Sequence, residues 1–212
     1  MTLWVIIPVK PLKRGKSRLA SVLNDEERTA LNRSLLINTL KTVALVDRIE
    51  TVLVVSRDPS VLTIAREFSA RTVLEDGNPE LNTALRRASV VAKAYHANEI
   101  LVLPADLPLL RTEHINQLLN FGQNPPEVII APDRRKDGTN ALYINPADLI
   151  EFSYGPGSFN IHRSNAEKAG AKVRIIKSDV LGLDLDLPED LLLLREIENG
   201  SNRIFNELMM EE

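Results

Sequence analysis

Short apolar runs rich in Val, Ile and Leu recur along this chain, and segments with helical patterns separate them. Several runs are apolar at every position, which is typical of parallel strands that helices cover on both faces. The predicted strands are Leu3–Val9, Thr51–Ser56, Arg71–Leu74, Glu99–Leu103, Val128–Ala131, Ala141–Asn145 and Lys172–Ile176. This alternation predicts an α/β fold: a single doubly wound domain with a mostly parallel sheet flanked by helices.

Helix signals lie between the strand-like runs. Asn24 with Glu27 three residues later forms a capping box for a long first helix. Residues 79–96 have a helical pattern, and Pro188 is expected to open the last helix. Ser158 is expected to cap a helix over Ser158–Ala169, whose N-terminus would favour an anion.

Length and composition place the chain among ordinary soluble proteins. Its 212 residues fit one domain with a sizeable core, and no linker or repeat divides them. We expect one domain over residues 1–199, in which 133–182 is a substrate-specific elaboration, and a tail over 200–212. The net charge of -3 gives no drive towards nucleic acid or anionic membranes. Without cysteine, signal peptide or membrane-length apolar stretch, the expected location is the cytoplasm.

The loop after the first strand is strongly basic. It carries Lys10, Lys13, Arg14, Lys16 and Arg18, and its prolines and glycine prevent a continued strand. A cationic loop at the carboxyl edge of a sheet suits a polyphosphate. If Lys16 pairs with phosphate, its loss should weaken phosphate binding and leave the stability of the ligand-free protein nearly unchanged. The alternative is a solvated basic loop, in which the loss of Lys16 would not weaken binding either.

Acidic residues follow in two later segments. Asp106 stands just past a buried strand, where α/β sheets open onto their ligand crevice, although it could instead cap a turn. Asp184 and Asp186 point to the same side of an extended segment, and two such charges suggest a divalent cation. Helix capping would explain Glu189, Asp190 and Asp186, but it does not explain Asp184.

Two glycine-containing turns form a third region. Residues 137–140 read Asp-Gly-Thr-Asn, and residues 154–159 read Tyr-Gly-Pro-Gly-Ser-Phe. Such turns allow close backbone approach to an anion, so a Cβ at Gly155 would be expected to crowd the ligand. The alternative is two ordinary surface turns. His162 lies nearby and is a lesser candidate for a substrate contact.

Loop cations and paired carboxylates together predict phosphoryl or nucleotidyl transfer with Mg²⁺. The phosphate-loop motif is absent, since Gly15-Lys16-Ser17 is only a fragment of it. The dinucleotide motif Gly-x-Gly-x-x-Gly is absent as well, which argues against an oxidoreductase.

The order of these motifs resembles one family. Pro8-Val-Lys-Pro, Gly15-Lys-Ser-Arg-Leu, Pro104-Ala-Asp-Leu-Pro, Asp137-Gly-Thr-Asn, Tyr154-Gly-Pro-Gly-Ser-Phe and Asp184-Leu-Asp-Leu-Pro-Glu-Asp-Leu occur in that order. Over roughly residues 3–197 the chain resembles the 2-phospho-L-lactate guanylyltransferases, which have the nucleotide-diphospho-sugar transferase-like fold. It departs from the wider superfamily after the first strand, where Pro8-Val9-Lys10-Pro11 replaces a glycine-rich signature.

The resemblance implies a reaction of GTP with 2-phospho-L-lactate that gives lactyl-2-diphospho-5′-guanosine and pyrophosphate, in deazaflavin coenzyme (coenzyme F-420) biosynthesis. Phosphoenolpyruvate is the alternative acceptor, another NTP and acceptor remain a second alternative, and a homodimer is left open. A regulatory protein with a dead nucleotide site is a rival from another class. The implied roles are metal ligation by Asp106, Asp184 and Asp186; nucleotide binding by Lys10, Lys16, Arg18 and Asn82, with the two lysines also catalytic; and acceptor binding by Thr139, Gly155 and Ser158.

Overall fold

The predicted strands form one sheet. The computed structural model describes residues 2–77, 79–122 and 124–201, so residues 202–212 of the expected tail lie outside the described residues. The strands are β1 Leu3–Pro8, β2 Ile49–Ser56, β3 Arg71–Leu74, β4 Glu99–Val102, β5 Glu127–Pro132, β6 Thr139–Asn145 and β7 Lys172–Ile175. The helices are α1 Asp25–Ala44, α2 Pro59–Glu67, α3 Leu81–Ala94, α4 Thr112–Phe121, α5 Ser158–Lys168, α6 Asp179–Gly182 and α7 Pro188–Ser201, with a 3-10 helix at Ser17–Leu19.

The sheet order is β3-β2-β1-β4-β6-β5-β7. The pairs β1–β2, β1–β4, β2–β3 and β5–β7 are parallel, whereas β6 runs antiparallel to both β4 and β5. Because parallel strands end at the same edge, the loops after β1, β2, β3 and β4 meet there. The expected mostly parallel α/β sheet is therefore confirmed.

Helices cover both faces of the sheet, as a doubly wound fold requires. The apolar cluster on one face takes side chains from α1, α2 and α4, and that on the other face takes them from α3 and α5. The segment 133–182 contributes β6 and β7 to this same sheet. It is therefore integrated in the domain. Within the described residues, no helix is long and apolar enough to cross a membrane.

A third apolar cluster packs the 3-10 helix and α1 against residues 183–197. Leu19, Leu31 and Leu35 pack there with Leu183 and Leu185. Leu183 and Leu185 are buried while the aspartates between and after them are half-buried, so the expected alternation holds over residues 183–186. This packing brings the acidic segment beside the first loop.

Candidate active site

The first loop is docked on the body of the protein. The N–H of Leu12 donates to the Oδ2 of Asp58 at 2.9 Å, and the amide of Asn32 donates to the carbonyl of Leu12 at 2.7 Å. Gly15 is buried against Asn32, and an added Cβ would stand 2.6 Å from the Nδ2 of that side chain. Lys16 follows in the left-handed region at φ 57. These contacts fix the direction in which Lys16 leaves the loop.

The ammonium of Lys16 bridges two carboxylates. Its Nζ lies 2.9 Å from the Oδ2 of Asp106 and 2.9 Å from the Oδ1 of Asp186. The Lys16 side chain is only 6% exposed. Burial alone would lower the pKa of Lys16, but the two carboxylates raise it above its ordinary value. Lys16 is therefore a buried, charged group, and the view of it as a solvated loop lysine does not fit its surroundings.

Backbone contacts join the two acidic segments. Asp106 follows β4, and its carbonyl accepts the N–H of Leu185 at 3.1 Å. The start of α7 is closed by Asp190, whose Oδ2 accepts the N–H groups of Asp186 and Leu187 at 3.1 and 2.8 Å. The capping role expected for Asp190 is present, whereas the Asp186 carboxylate faces Lys16. The aspartates of both segments are thus held at one place.

Asp184 is the third carboxylate of this cluster. Burial, together with the negative charges of Asp106 and Asp186, raises the pKa of Asp184 to about 6. The amide of Asn140 lies 3.4 Å from its Oδ1 and also donates to the carbonyl of Leu181 at 2.9 Å. Burial would raise the pKa of Asp186 too, but Lys16, with smaller contributions from Lys10 and Arg18, lowers it. The cluster therefore joins three mutually repelling carboxylates with loop cations.

The carboxylates have the chemistry of magnesium ligands, which are oxygen donors. The Oδ1 of Asp106 is buried and has no hydrogen-bond partner among the described residues, as expected of an oxygen that awaits a cation. Over residues 2–77, 79–122 and 124–201, however, no three acidic or histidine side chains form a ready metal cage. That arrangement suits Mg²⁺, which is commonly bound by one or two carboxylates and substrate phosphates. The donor set fits, and the magnesium assignment stays a prediction.

A cavity of about 350 Å³ opens beside the cluster. Its lining includes Lys10, Lys16, Asp106 and Asp186, but neither Asp184 nor Arg18. Apolar groups from the ends of β1 and β2 and from the first turn of α3 form further walls: Pro8, Val9, Val55, Leu81 and Ala84. A cavity with apolar walls and a charged end can hold a nucleoside and its phosphates.

The candidate acceptor hydroxyls are buried. The Oγ1 of Thr139 lies 2.9 Å from the Nδ1 of His162, and the Oγ of Ser158 lies 3.4 Å from that same Oγ1. The Nε2 of His162 accepts the N–H of Ser153 at 2.9 Å, so the neutral ring carries its proton on Nδ1 and donates it to Thr139. Thr139 and Ser158 are brought together, and their role in acceptor binding remains a prediction.

The glycine turn differs in detail from the expectation. The N-terminal cap of α5 is Gly157, at φ 70, and Ser158 is the first helical residue, so the expected serine cap is wrong. A left-handed residue at this position is tolerated best by glycine. Gly155 is exposed at φ +136, and an added Cβ would meet no described atom within 4 Å. What requires glycine at 155 is backbone conformation rather than crowding by the protein.

Asn82 ties the cavity wall to this turn. It lies in the first turn of α3, where Glu80 and Leu81 line the cavity. Its amide donates to the carbonyl of Tyr154 at 3.0 Å and accepts the N–H of Tyr154 at 2.7 Å. Because both ends of the amide are engaged and Asn82 does not line the cavity, the structure offers no direct nucleotide contact for it. Its predicted role at the base or ribose stays a prediction.

The sequence motifs do not predict Arg57 and Glu75 as site residues, although both line the cavity, directly after β2 and β3. Their available signal was position, since each directly follows a predicted strand. The sequence indicates Asn140 only as part of a turn, because its contact with Asp184 involves a partner 44 residues away.

Comparison with known proteins decides the family. Residues 3–207 match the family described as "Guanylyl transferase CofC like". The chain belongs to this family. It is 38% identical to the phosphoenolpyruvate guanylyltransferase of Rubrobacter xylanophilus, over 92% of this chain and 94% of that protein. It is 40% identical to the 2-phospho-L-lactate guanylyltransferase of Methanocaldococcus vulcanius, over 88% of this chain and 81% of that protein.

A solved structure shares the fold of this guanylyl transferase family member. A putative nucleotide-diphospho-sugar transferase from Desulfovibrio desulfuricans G20 superposes with a TM-score of 0.76. The match covers 95% of this chain and 90% of that chain at 16% sequence identity. At that identity the likeness supports the nucleotide-diphospho-sugar transferase-like fold and carries nothing about the substrate.

Proposed function

We propose that this protein is a guanylyltransferase that joins GTP to 2-phospho-L-lactate, giving lactyl-2-diphospho-5′-guanosine and pyrophosphate. The observation that carries the proposal is membership of the guanylyl transferase family over nearly the whole described chain. The clustering of Lys16 with Asp106 and Asp186 at the edge of the cavity supports it, because the reaction brings two polyanions together. The product would serve deazaflavin coenzyme formation.

Phosphoenolpyruvate is the second candidate acceptor. Relatives of similar identity carry either name, at 38% for a phosphoenolpyruvate enzyme and 40% for a 2-phospho-L-lactate enzyme. The two acceptors share a phosphate and a carboxylate on a three-carbon frame. They differ at two carbons, C2 and C3, which are tetrahedral in phospholactate and planar, joined by a double bond, in phosphoenolpyruvate.

The proposed reaction is one displacement at phosphorus. An oxygen of the acceptor phosphate attacks the α-phosphorus of GTP, and a new P–O bond forms. The bond from the α-phosphorus to the bridging oxygen breaks, and pyrophosphate leaves with that electron pair. The acceptor phosphate is already ionised near neutral pH, so the step needs neither a protein nucleophile nor a general base.

The chain's own part is to offset charge and to hold the reactants in line. Lys10 and Lys16 line the cavity, and we assign to them the β- and γ-phosphates of GTP. Arg18 adds positive charge near Asp186. Mg²⁺, when bound, would supply further positive charge at the polyphosphate, and one or two of Asp106, Asp184 and Asp186 would hold it together with the substrate phosphates.

Acceptor binding is assigned to the turns at Thr139 and at 155–158. His162 holds the Thr139 hydroxyl as an acceptor of its Nδ1 proton, so the hydroxyl's own hydrogen is directed to another partner. We assign that hydrogen to the acceptor anion. The exposed backbone at Gly155 gives the acceptor a route of close approach.

A panel of substrates tests the proposal. Pyrophosphate release is measured with Mg²⁺ and each of GTP, ATP, CTP and UTP, against 2-phospho-L-lactate and phosphoenolpyruvate. We expect GTP to be preferred and release to depend on the acceptor, with 2-phospho-L-lactate giving the highest kcat/KM. A higher kcat/KM with phosphoenolpyruvate would select the second candidate. Release with no dependence on acceptor, or with another NTP preferred, would contradict both.

A further inference from the structure

Arg57 and Glu75 line the cavity away from the carboxylate cluster. Arg57 directly follows β2, and Glu75 directly follows β3. The N–H of Glu75 donates to the carbonyl of Ser56 at 2.9 Å, so the pairing between these two strands continues to this point. Both side chains therefore start from a rigid part of the sheet.

The side chains of Arg57 and Glu75 form an ion pair and keep hydrogen-bonding groups that a ligand could use. The Nε of Arg57 lies 3.7 Å from the Oε2 of Glu75, and its terminal nitrogen donates to the carbonyl of Gly77 at 2.7 Å. The Oε1 of Glu75 accepts the N–H of Glu80 at 3.3 Å. The Arg57 Nε is buried, yet it has no hydrogen-bond partner in the part of the chain that the structure describes. The Arg57 side chain as a whole is 23% exposed and lines the cavity, and a guanidinium has several N–H donors, so it can donate to a ligand there while it stays beside Glu75.

The strand order gives the cavity a direction. From the edge inwards the order is β3, β2, β1 and β4. Glu75 and Arg57 follow the first two, whereas Lys16 follows the third and Asp106 the fourth. With neighbouring strands about 4.8 Å apart, the cavity extends about 14 Å along the sheet edge. A nucleoside triphosphate with its phosphates at Lys16 would have its base at Arg57 and Glu75, between the apolar walls.

The hydrogen-bonding groups at the Arg57 and Glu75 end of the cavity match the Watson–Crick edge of one base, guanine. An arginine beside a carboxylate offers one donor followed by two acceptors. Guanine presents the complement, the acceptor O6 followed by the donors N1–H and N2–H. Adenine and cytosine present an amino group where O6 stands, and uracil presents only one donor between two acceptors.

We propose that Glu75 accepts the N1–H and N2–H groups of guanine and that Arg57 donates to its O6, so that this pair selects GTP. The inference rests on the proposed function, since it assumes a guanine nucleotide with its phosphates at the first loop. It assigns base selection to two residues of this chain.

Two altered nucleotides test the assignment by binding alone. Inosine triphosphate lacks the 2-amino group, and xanthosine triphosphate carries a carbonyl in its place. Titration calorimetry of the intact protein with Mg²⁺ should show GTP bound about 10- to 100-fold more tightly than either, the discrimination of a bidentate contact. In Glu75→Gln, the new amide can donate to the xanthine carbonyl, so the GTP preference over xanthosine triphosphate should shrink at least tenfold or reverse.

The matched control is Asp76→Asn, which makes the same change one residue further on. The Asp76 side chain is 82% exposed and pairs with Arg87, and it does not line the cavity. Its nucleotide preferences should equal those of the parent. Arg57→Lys should lower the affinity for all three nucleotides by a similar factor, because all three carry O6.

The outcomes separate this inference from the proposed function. In a folded Glu75→Gln variant, the affinity for GTP relative to the two altered nucleotides could stay unchanged, or binding of all three could weaken equally. Either result would overturn the assignment of base selection without contradicting guanylyl transfer. If Glu75→Gln failed to fold, the parent protein would still decide the assignment. Affinities of the parent for GTP and for inosine triphosphate within twofold of each other would overturn it. A parent protein that binds none of the three would instead contradict the proposed function.

Discussion

Lys16 neutralises two carboxylates that would otherwise repel each other. Its partners Asp106 and Asp186 lie 90 and 170 residues further along the chain. The sequence predicted a cationic loop and two acidic segments, but it could not predict that one ammonium would be buried between them. Burial of that ammonium depends on the packing of distant leucines, which no local pattern records.

At Lys16 the expected effect of mutation is therefore on stability as well as on binding. Lys16→Met should lower the free energy of unfolding by about 2 kcal/mol, because it leaves two partly buried carboxylates without their counter-charge. Urea unfolding of the ligand-free protein measures this. Lys13→Met, at an exposed position of the same loop, is the control. If Lys16→Met unfolds like the control, the ammonium bridge contributes nothing to the fold.

His162 makes a second prediction, on pH. Burial lowers its pKa from 6.5 to about 4. Between those values the unfolded chain binds the proton and the folded chain does not, so stability falls as the pH drops, by about 3 kcal/mol in all. Asp184 acts in the opposite sense: its folded pKa is raised from 3.8 to about 6, so its contribution rises as the pH drops through that window.

A comparison of variants isolates the contribution of His162 to the pH dependence of stability. The stability advantage of the parent over His162→Gln should narrow by about 3 kcal/mol from pH 7 to pH 4, measured by urea unfolding at each pH. His96→Asn, at an exposed position, is the control. A stability difference between the parent and His162→Gln that does not change with pH would mean that the ring is not held neutral by burial.

At the scale of elements, local signals were reliable where one segment decides the outcome. The capping box of Asn24 and Glu27 opens α1, and Pro188 opens α7, as predicted. The predicted cap of α5, Ser158, was wrong because Gly157, in the left-handed region, caps the helix and Ser158 is its first residue. The hydrogen bonds between Asn82 and Tyr154 join residues 72 positions apart, and no sequence pattern predicts them.

That link makes a prediction that separates two roles. Asn82→Ala removes the two hydrogen bonds between its side chain and Tyr154 in the 153–157 turn, so the KM for the acceptor should rise about tenfold while the KM for GTP changes little. Steady-state kinetics with each substrate varied in turn measures this. Arg86→Ala, at an exposed position of α3, is the control. A rise in the KM for GTP alone would instead support the predicted contact of Asn82 with the nucleotide.

For the whole molecule, composition and periodicity were sufficient to predict the class of fold. The sheet order was beyond them, since β6 forms a hairpin with β5 and also pairs antiparallel with β4, which is distant in the sequence. The candidate site could be predicted as a set of charged segments because each follows a strand end or precedes a helix. The cavity-lining pair Arg57 and Glu75 could not be predicted, because isolated charges after strands are common and only the cavity brings these two together.

The assembled carboxylate cluster predicts a separation of activity from stability. Asp184→Asn should reduce turnover about 100-fold or more at saturating Mg²⁺, the scale of one lost preorganised charge. The variant should be at least as stable as the parent at pH 7, because it removes a half-buried charge that two neighbours repel. Asp179→Asn, an exposed position in α6, is the control for both measurements. Turnover near that of the parent in Asp184→Asn would remove Asp184 from the site.

The most direct measurement of guanylyl transfer is ³¹P nuclear magnetic resonance of a complete reaction. GTP, 2-phospho-L-lactate, Mg²⁺ and the protein should yield two mutually coupled phosphorus signals from a new diphosphate bridge, together with one equivalent of pyrophosphate. The bridge should not form when the acceptor is left out. Pyrophosphate accompanied by GMP, with no coupled pair of signals, would show hydrolysis rather than transfer and would contradict the proposed function.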